Sequence, residues 1–161
     1  MRFAIVSDTH DNMANFTKVI DFLNTENITT LLHCGDISSE ETVQEAEKNF
    51  KGDIYFVRGN ADFHLEKTPD TLELDLGGKK VAFVHYPELA RKLAESKKYD
   101  LVFYGHTHRP WEETVGNPST GSGRFCRLVN PGELAGQRYK PCFALYETET
   151  DKLELKILEQ I

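Results

Sequence analysis

The sequence predicts an α/β protein in which a largely parallel β-sheet carries a second, mostly antiparallel sheet packed against it. Three observations lead there. Short β-branched or aromatic runs recur and stop at Gly, Asp or Asn, as buried strands do on entering loops. The first half alternates such runs with helical periodicity, and the stretch beyond His108 holds strand patterns alone.

Taken in order, a strand over 2–7 opens into Asp8-Thr9-His10. Asn12 or Asn15 then caps a helix whose apolar positions Phe16, Val19, Ile20 and Leu23 follow the 3.6-residue period, ending near Asn24. A strand over 30–34 passes through Gly35 to Asp36. Ser38-Ser39-Glu40-Glu41 has the form of a capped helix start with acidic residues in its first turn, and that helix runs to about Phe50. A third strand, 53–58, leads to Gly59-Asn60. Repeated βα units give parallel strands with right-handed crossovers.

Residues 72–76, Gly77-Gly78 and 81–84 then form a hairpin, because two glycines supply the positive φ that a two-residue turn needs. It ends at His85. Residues 87–97 are helical, with Pro87 in the first turn, where its missing N–H does no harm. A strand over 101–104 leads to Gly105-His106-Thr107-His108. Strands at 112–115, 124–129, 143–147 and 153–158 follow, and the polar tract 116–123 between the first two reads as a flexible hairpin tip.

At 161 residues the chain fits one domain, 1–161, long enough to bury a core without disulfides or structural metal. A net charge of −7 argues against binding long nucleic acid, which needs a basic stripe to displace counterions. A small anionic substrate stays compatible, because a metal pair outweighs the overall field locally. The three cysteines, Cys34, Cys126 and Cys142, lack CxxC spacing and suggest a reduced compartment. With no signal-peptide pattern and no run of about 18 apolar residues, the expectation is a cytoplasmic protein without a membrane partner. Exposed edges of the second sheet could pair subunits, so a homo-oligomer stays open.

Five of the runs end in metal-binding side chains: Asp8 and His10, Asp36, Asn60, His85, and His106 with His108. In sheets of parallel strands the ligand crevice lies at the carboxyl ends, so these seven donors have a reason to meet. Asp8 and His10 can both turn toward one ion, and Asp36 can bridge two with its two oxygens. A mixed oxygen and nitrogen set without thiolate suits two divalent ions, with manganese first and iron, zinc, cobalt or nickel also fitting, better than calcium or copper(I). Two such ions carry four positive charges and the aspartates cancel two, leaving a site for phosphate. Two ions about 3.5–4 Å apart clamp an in-line displacement at phosphorus, with a bridging water deprotonated at neutral pH. Among the donors, Asp36, Asn60 and His85 are the predicted catalytic positions.

Read in that order, SDTH, GD, GN, the strand-end His85 and GHTH resemble the calcineurin-like metallophosphoesterase superfamily, and the short chain resembles its small prokaryotic phosphodiesterase branch. Asn130-Pro131-Gly132 resembles that branch's closing motif. The resemblance implies two mixed β-sheets packed face to face with helices on the outer faces, a four-layer α/β/β/α sandwich. It implies that Asp8, His10, Asp36 and His108 hold one ion and that Asp36, Asn60, His85 and His106 hold the other. The implied reaction is hydrolysis of a small phosphate diester by hydroxide between the ions.

The chain also departs from the pattern. Ala61 stands where many relatives carry a His that protonates the leaving group, a contribution of roughly 10²–10⁴-fold. Leaving groups of low pKa suffer least, which favours diesters over phosphomonoesters. His64 is either a substitute acid or a solvated loop residue. Asp62 either hydrogen-bonds backbone or orients a ligand histidine. Tyr86 stands where the family has Gly and either narrows the pocket or stacks on a base, and Glu133 stands where Ser is usual. Asn12 and Arg109 are either phosphate contacts or a helix cap and a surface charge. An interaction scaffold of the same fold, a phosphomonoesterase and a nuclease are the alternatives.

Overall fold

The computed structural model describes residues 1–116 and 125–161. Its first sheet begins with β1 (Arg2–Val6), β2 (Thr30–His33) and β3 (Asp53–Phe56), paired in parallel with Ala4 opposite Leu31 and Leu31 opposite Ile54. The crossovers are α1 (Met13–Thr25) and α2 (Glu40–Asn49). Each is capped as an orphaned first turn requires. The Asn12 side chain accepts from the Asn15 N–H at 3.2 Å, and Ser39 Oγ accepts from the Thr42 N–H at 3.3 Å.

The second sheet opens with the hairpin β4 (Thr71–Leu76) and β5 (Lys79–Val84), where Leu76 faces Lys79 across Gly77-Gly78. Helix α3 (Pro87–Glu95) crosses to β6 (Leu101–Phe103), and β7 (Trp111–Val115) and β8 (Cys126–Asn130) follow. Strand β6 pairs in parallel with both β5 and β8, while the β4–β5 and β7–β8 pairings are antiparallel. Of the tract expected as a hairpin tip, 117–123 lies outside the described residues, as does Arg124 of the following predicted strand.

The C-terminal strands divide differently from the expectation that everything past His108 builds the second sheet. Strands β9 (Cys142–Glu147) and β10 (Lys152–Ile157) return to the first, giving the order β10-β9-β1-β2-β3 against β4-β5-β6-β8-β7. Both sheets are therefore mixed. Residues 3–6 of β1 and 143–146 of β9 are buried on both faces, so each needs neighbours on both sides and covering layers above and below. Periodicity shows that such a strand is buried but not which sheet it joins.

Alternation along the strands sorts the core into three slabs. Ala4, Val6 and Leu31 point toward Phe16, Val19, Ile20 and Leu23 of α1; Phe3, Ile5 and Leu32 point toward Phe83, Phe103 and Val129 of the second sheet. Ala82, Val84, Val102 and Leu128 meet Ala90 and Ala94 of α3 in the third. The result is a four-layer sandwich with α1 and α2 on one outer face and α3 on the other. Among the described residues no helix is long and apolar enough to cross a membrane.

Candidate metal centre

The loops that follow β1, β2, β3, β5, β6 and β8 meet at one edge of the sandwich, and backbone bonds tie them together. Asp8 N–H donates to Gly35 O (3.0 Å) and His10 N–H to Asp36 O (2.9 Å), so the first two loops run side by side. The Asp62 carboxylate accepts from the N–H groups of Asp36 (2.8 Å), Ser38 (2.7 Å) and Gly59 (2.7 Å), clipping the second loop to the third. Of its two expected roles, Asp62 fills the one of bonding backbone. Asn130 donates to Gly105 O (2.8 Å) and Thr107 Oγ1 (3.0 Å), and so holds the His106–His108 loop from behind. The loops are pressed so close that a Cβ on Gly105 would stand 2.0 Å from Ser7 Oγ, and one on Gly59 2.2 Å from Asp36 Oδ1.

All seven sequence-predicted donors come to this edge. Ligand atoms of Asp8, His10 and His108 lie within 4.8 Å of one another, as do those of Asp8, Asp36 and His85. Asp8 is common to these two groups, whereas the resemblance makes Asp36 the shared carboxylate. Asp36 Oδ2 lies 3.6 Å from His10 Nε2 and 3.4 Å from His85 Nε2, between a histidine of each group. Asn60 Oδ1 is 3.1 Å from His85 Nε2 and 2.9 Å from His106 Nδ1, which ties in the last two donors. The His106 N–H in turn donates to both oxygens of Asp8 (3.2 and 3.1 Å).

The residues fit a cation on three counts. His10 Nε2 is buried with no hydrogen-bond partner among the described residues, a costly state unless a ligand satisfies it. Two imidazoles are oriented so that a lone pair faces acceptors. His85 Nδ1–H donates to Cys34 O (2.8 Å), leaving Nε2 toward Asp36 and Asn60 oxygens, and His108 Nδ1–H donates to Glu133 Oε2 (2.8 Å), leaving Nε2 3.4 Å from Asp8 Oδ1. Acceptor facing acceptor calls for a proton or a metal ion between them. The backbone is also strained where the donors sit: Asp8 (φ 52°), His10 (45°), Asp36 (58°), His106 (68°) and His108 (63°) all adopt left-handed conformations. Each such residue costs about 1–3 kcal/mol and persists only where the surroundings impose it, as at ligand-binding sites.

The electrostatics agree with this fit. Burial pushes the Asp8 carboxyl up from its ordinary value, more than Ser7, His85 and His108 pull it down. Burial also acts upward on Asp36, but the hydrogen bond and charge of His85, the Ala61 N–H and His10 outweigh it, so Asp36 falls. His85 is the counterpart: burial acts downward, Asp36 and Asp8 prevail, and it rises. The two buried acids thus favour positive charge at His85 Nε2.

The remaining predicted positions sort themselves by contact. His33 is a buried structural histidine, donating from Nε2 to Thr9 Oγ1 (2.8 Å) and accepting the Gly35 N–H at Nδ1 (3.2 Å), and burial pushes its pKa down to about 4. Asn12 is the helix cap, and Arg109 lies 5.3 Å over the Trp111 ring. His64 packs on Phe63 and lines a cavity with Glu40, Val43 and Gln44 rather than joining the donors. Tyr86 is exposed, its ring against His85 and His106.

From the sequence, Glu133 stands out only as a departure from the family pattern. The structure buries it completely and makes it the acid behind His108. Its carboxylate accepts the N–H groups of Gln137 (3.0 Å), Arg138 (2.6 Å) and Tyr139 (2.6 Å). Burial raises its pKa, but these N–H donors and His108 lower it by more, so it stays ionised. A sequence signal existed only in its place directly after Asn130-Pro131-Gly132.

The calcineurin-like phosphoesterase superfamily domain matches residues 1–151. The chain belongs to that superfamily. Similarity to its members extends over the whole chain. Phosphodiesterase MJ0936 of Methanocaldococcus jannaschii is 29% identical, with 99% of this chain and 100% of that protein covered. A solved structure described as a novel archaeal phosphodiesterase superposes with a TM-score of 0.84 at 28% identity, over 98% of this chain and 99% of that one. Vps29 of Chaetomium thermophilum shares the fold, with a TM-score of 0.71 at 17% identity, over 98% and 94% of the two chains. Membership and the likeness to these phosphodiesterases place this chain among hydrolases of phosphoester bonds and in the small prokaryotic branch, with a fold matching the expected four-layer sandwich.

Proposed function

We propose that this single-domain protein is a metal-dependent phosphodiesterase that hydrolyses small phosphate diesters in the cytoplasm. Its seven donors would hold two divalent cations, manganese first among the metals that suit the donor set. The observation that carries the reading is the position of Asp36 Oδ2, 3.6 Å from His10 Nε2 and 3.4 Å from His85 Nε2. A carboxylate so placed suits a bridge between two ions. When bound, such a pair polarises phosphate oxygens and lowers the pKa of water between the ions.

The chain's own groups then have definite tasks. Cys34 O and Glu133 fix the tautomers of His85 and His108, keeping each Nε2 free for a cation. Asn60 and His106 are exposed at the mouth, where an arriving phosphate meets them. Ala61 cannot deliver a proton, so the departing oxygen must leave as an anion or take its proton from water. That favours esters of acidic alcohols, such as aryl and nucleotide diesters. The net charge of −7 opposes long nucleic acid as substrate.

Purified protein supplied with manganese is expected to hydrolyse bis(p-nitrophenyl) phosphate. Asp36→Asn and His85→Ala are expected to lower that activity by roughly 10³-fold while the fold is retained by circular dichroism. A folded, metal-loaded wild type with no turnover refutes the proposal.

A further inference from the structure

Beside the donors an open cavity of about 750 Å³ is lined by Arg58, Asn60, Phe63, Glu66, Asp70 and Tyr86 among others. It is continuous with the centre through Asn60, which lines the cavity while its Oδ1 touches both His85 and His106. Two of its aromatic residues are exposed, Phe63 at 69% and Tyr86 at 42%. The Tyr86 ring is braced by the donors themselves, 5.1 Å from His85 at 77° and 5.3 Å from His106 at 58°. A phosphate at the centre would have this aromatic-walled chamber directly beside it.

The charges of the chamber narrow what that substituent is. Arg58 is paired with Asp70 (Nη2 to Oδ1 2.8 Å, Nε to Oδ1 3.0 Å), which offsets its positive charge in the chamber. Glu66 adds a carboxylate, which repels anions and accepts from amino groups. A flat, uncharged ring with N–H donors satisfies both features. The volume falls within the range of small-molecule pockets, about 300–1,000 Å³.

We propose that this cavity is a nucleobase subsite, in which a base lies against Phe63 and Tyr86 while its phosphate occupies the centre, making nucleoside phosphodiesters the substrate class. The inference rests on the phosphodiesterase reading of the same centre. Base–aromatic contacts of this kind carry a preference of roughly 10- to 100-fold.

The test compares thymidine 5′-(p-nitrophenyl phosphate) with ethyl p-nitrophenyl phosphate, which has the same leaving group and no base. Wild type is expected to prefer the nucleotide by at least about tenfold in kcat/KM. Phe63→Ala and Tyr86→Leu should each bring that ratio toward one, and Tyr86→Phe, which keeps the ring, should preserve it. Binding gives a second readout: calorimetry should find adenosine 5′-monophosphate held more tightly than ribose 5-phosphate by manganese-loaded wild type, with the gap closing in Phe63→Ala. Phe63 and Tyr86 are exposed, so these variants should fold. If both esters are cleaved with equal kcat/KM, or the ratio survives in both ring-removing variants, the subsite falls and the phosphodiesterase reading stands. If neither ester is cleaved, the reading itself fails and takes the subsite with it.

Discussion

Asp8 and His108 are buried and His10 is half-buried, whereas Asn60 and His106, at the other end of the centre, stand in water. On the enclosed side His108 is backed by Glu133, itself held by three N–H groups, and the Asp8 oxygens accept the His106 N–H. On the open side Asn60 and His106 brace mainly each other (2.9 Å) and Tyr86. The difference implies a division of labour. Groups whose rotamers are already fixed lose little entropy on taking a cation, so the enclosed side should bind more tightly, while the open side has room for phosphate.

Removing the carboxylate that joins the two sides should have the largest effect. Asp36→Asn leaves the size of the side chain and takes away its charge, and kcat/KM for bis(p-nitrophenyl) phosphate should fall roughly 10³-fold. Bound manganese, measured by plasma emission after dialysis, should drop from about two toward one per chain. A variant that keeps both ions and its rate would show that Asp36 does not join the sides.

Glu133→Gln tests the enclosed side alone. The amide nitrogen of Gln cannot accept the backbone N–H groups that the carboxylate oxygens take, and it weakens the hold on His108 Nδ1. Metal affinity at the tighter site should weaken about 10–100-fold by calorimetric titration, with the weaker site little changed. Unchanged affinity at the tighter site would reduce Glu133 to a loop anchor.

Ala61→His tests the open side. Supplying a proton donor beside Asn60 should raise turnover of alkyl phosphate esters about tenfold, part of what a well-placed general acid contributes, and leave aryl esters nearly unchanged. Equal gains on both ester classes would point to a cause other than leaving-group protonation.

A last test, on stability rather than turnover, concerns His33, which links the first and second metal loops through Thr9 and Gly35. Burial lowers its pKa from 6.5 to about 4, so the unfolded chain binds this proton more readily than the folded one. Stability carried by the neutral ring is complete above pH 6.5 and is lost as pH falls toward 4, up to roughly 3 kcal/mol. Denaturant titrations of metal-stripped protein should show that slope in wild type and a flatter one in His33→Gln. Parallel slopes would remove His33 from the account.

What the sequence made legible follows from where the information lies. The strand ends could be read because each apolar run stops directly at its donor, so Asp8, Asp36, Asn60, His85 and His106 announce themselves locally. The caps at Asn12 and Ser39 and the Gly77-Gly78 turn are equally local. The membership of β9 and β10 in the first sheet was not legible, since strand pairing depends on neighbours far along the chain. Glu133 was seen but not placed, because its partner His108 lies 25 residues away and nothing around it marks an acid as buried. Asp62 and His64 show the same limit: two residues apart, one clips two metal loops together and the other turns toward α2.

The central claim is a pair of cations on either side of the Asp36 carboxylate, and anomalous diffraction at the manganese edge from manganese-soaked crystals tests it most directly. The account predicts two peaks about 3.5–4 Å apart, the stronger beside Asp8, His10 and His108 and the weaker beside Asn60, His85 and His106. A single peak at full manganese saturation, or none, would contradict it.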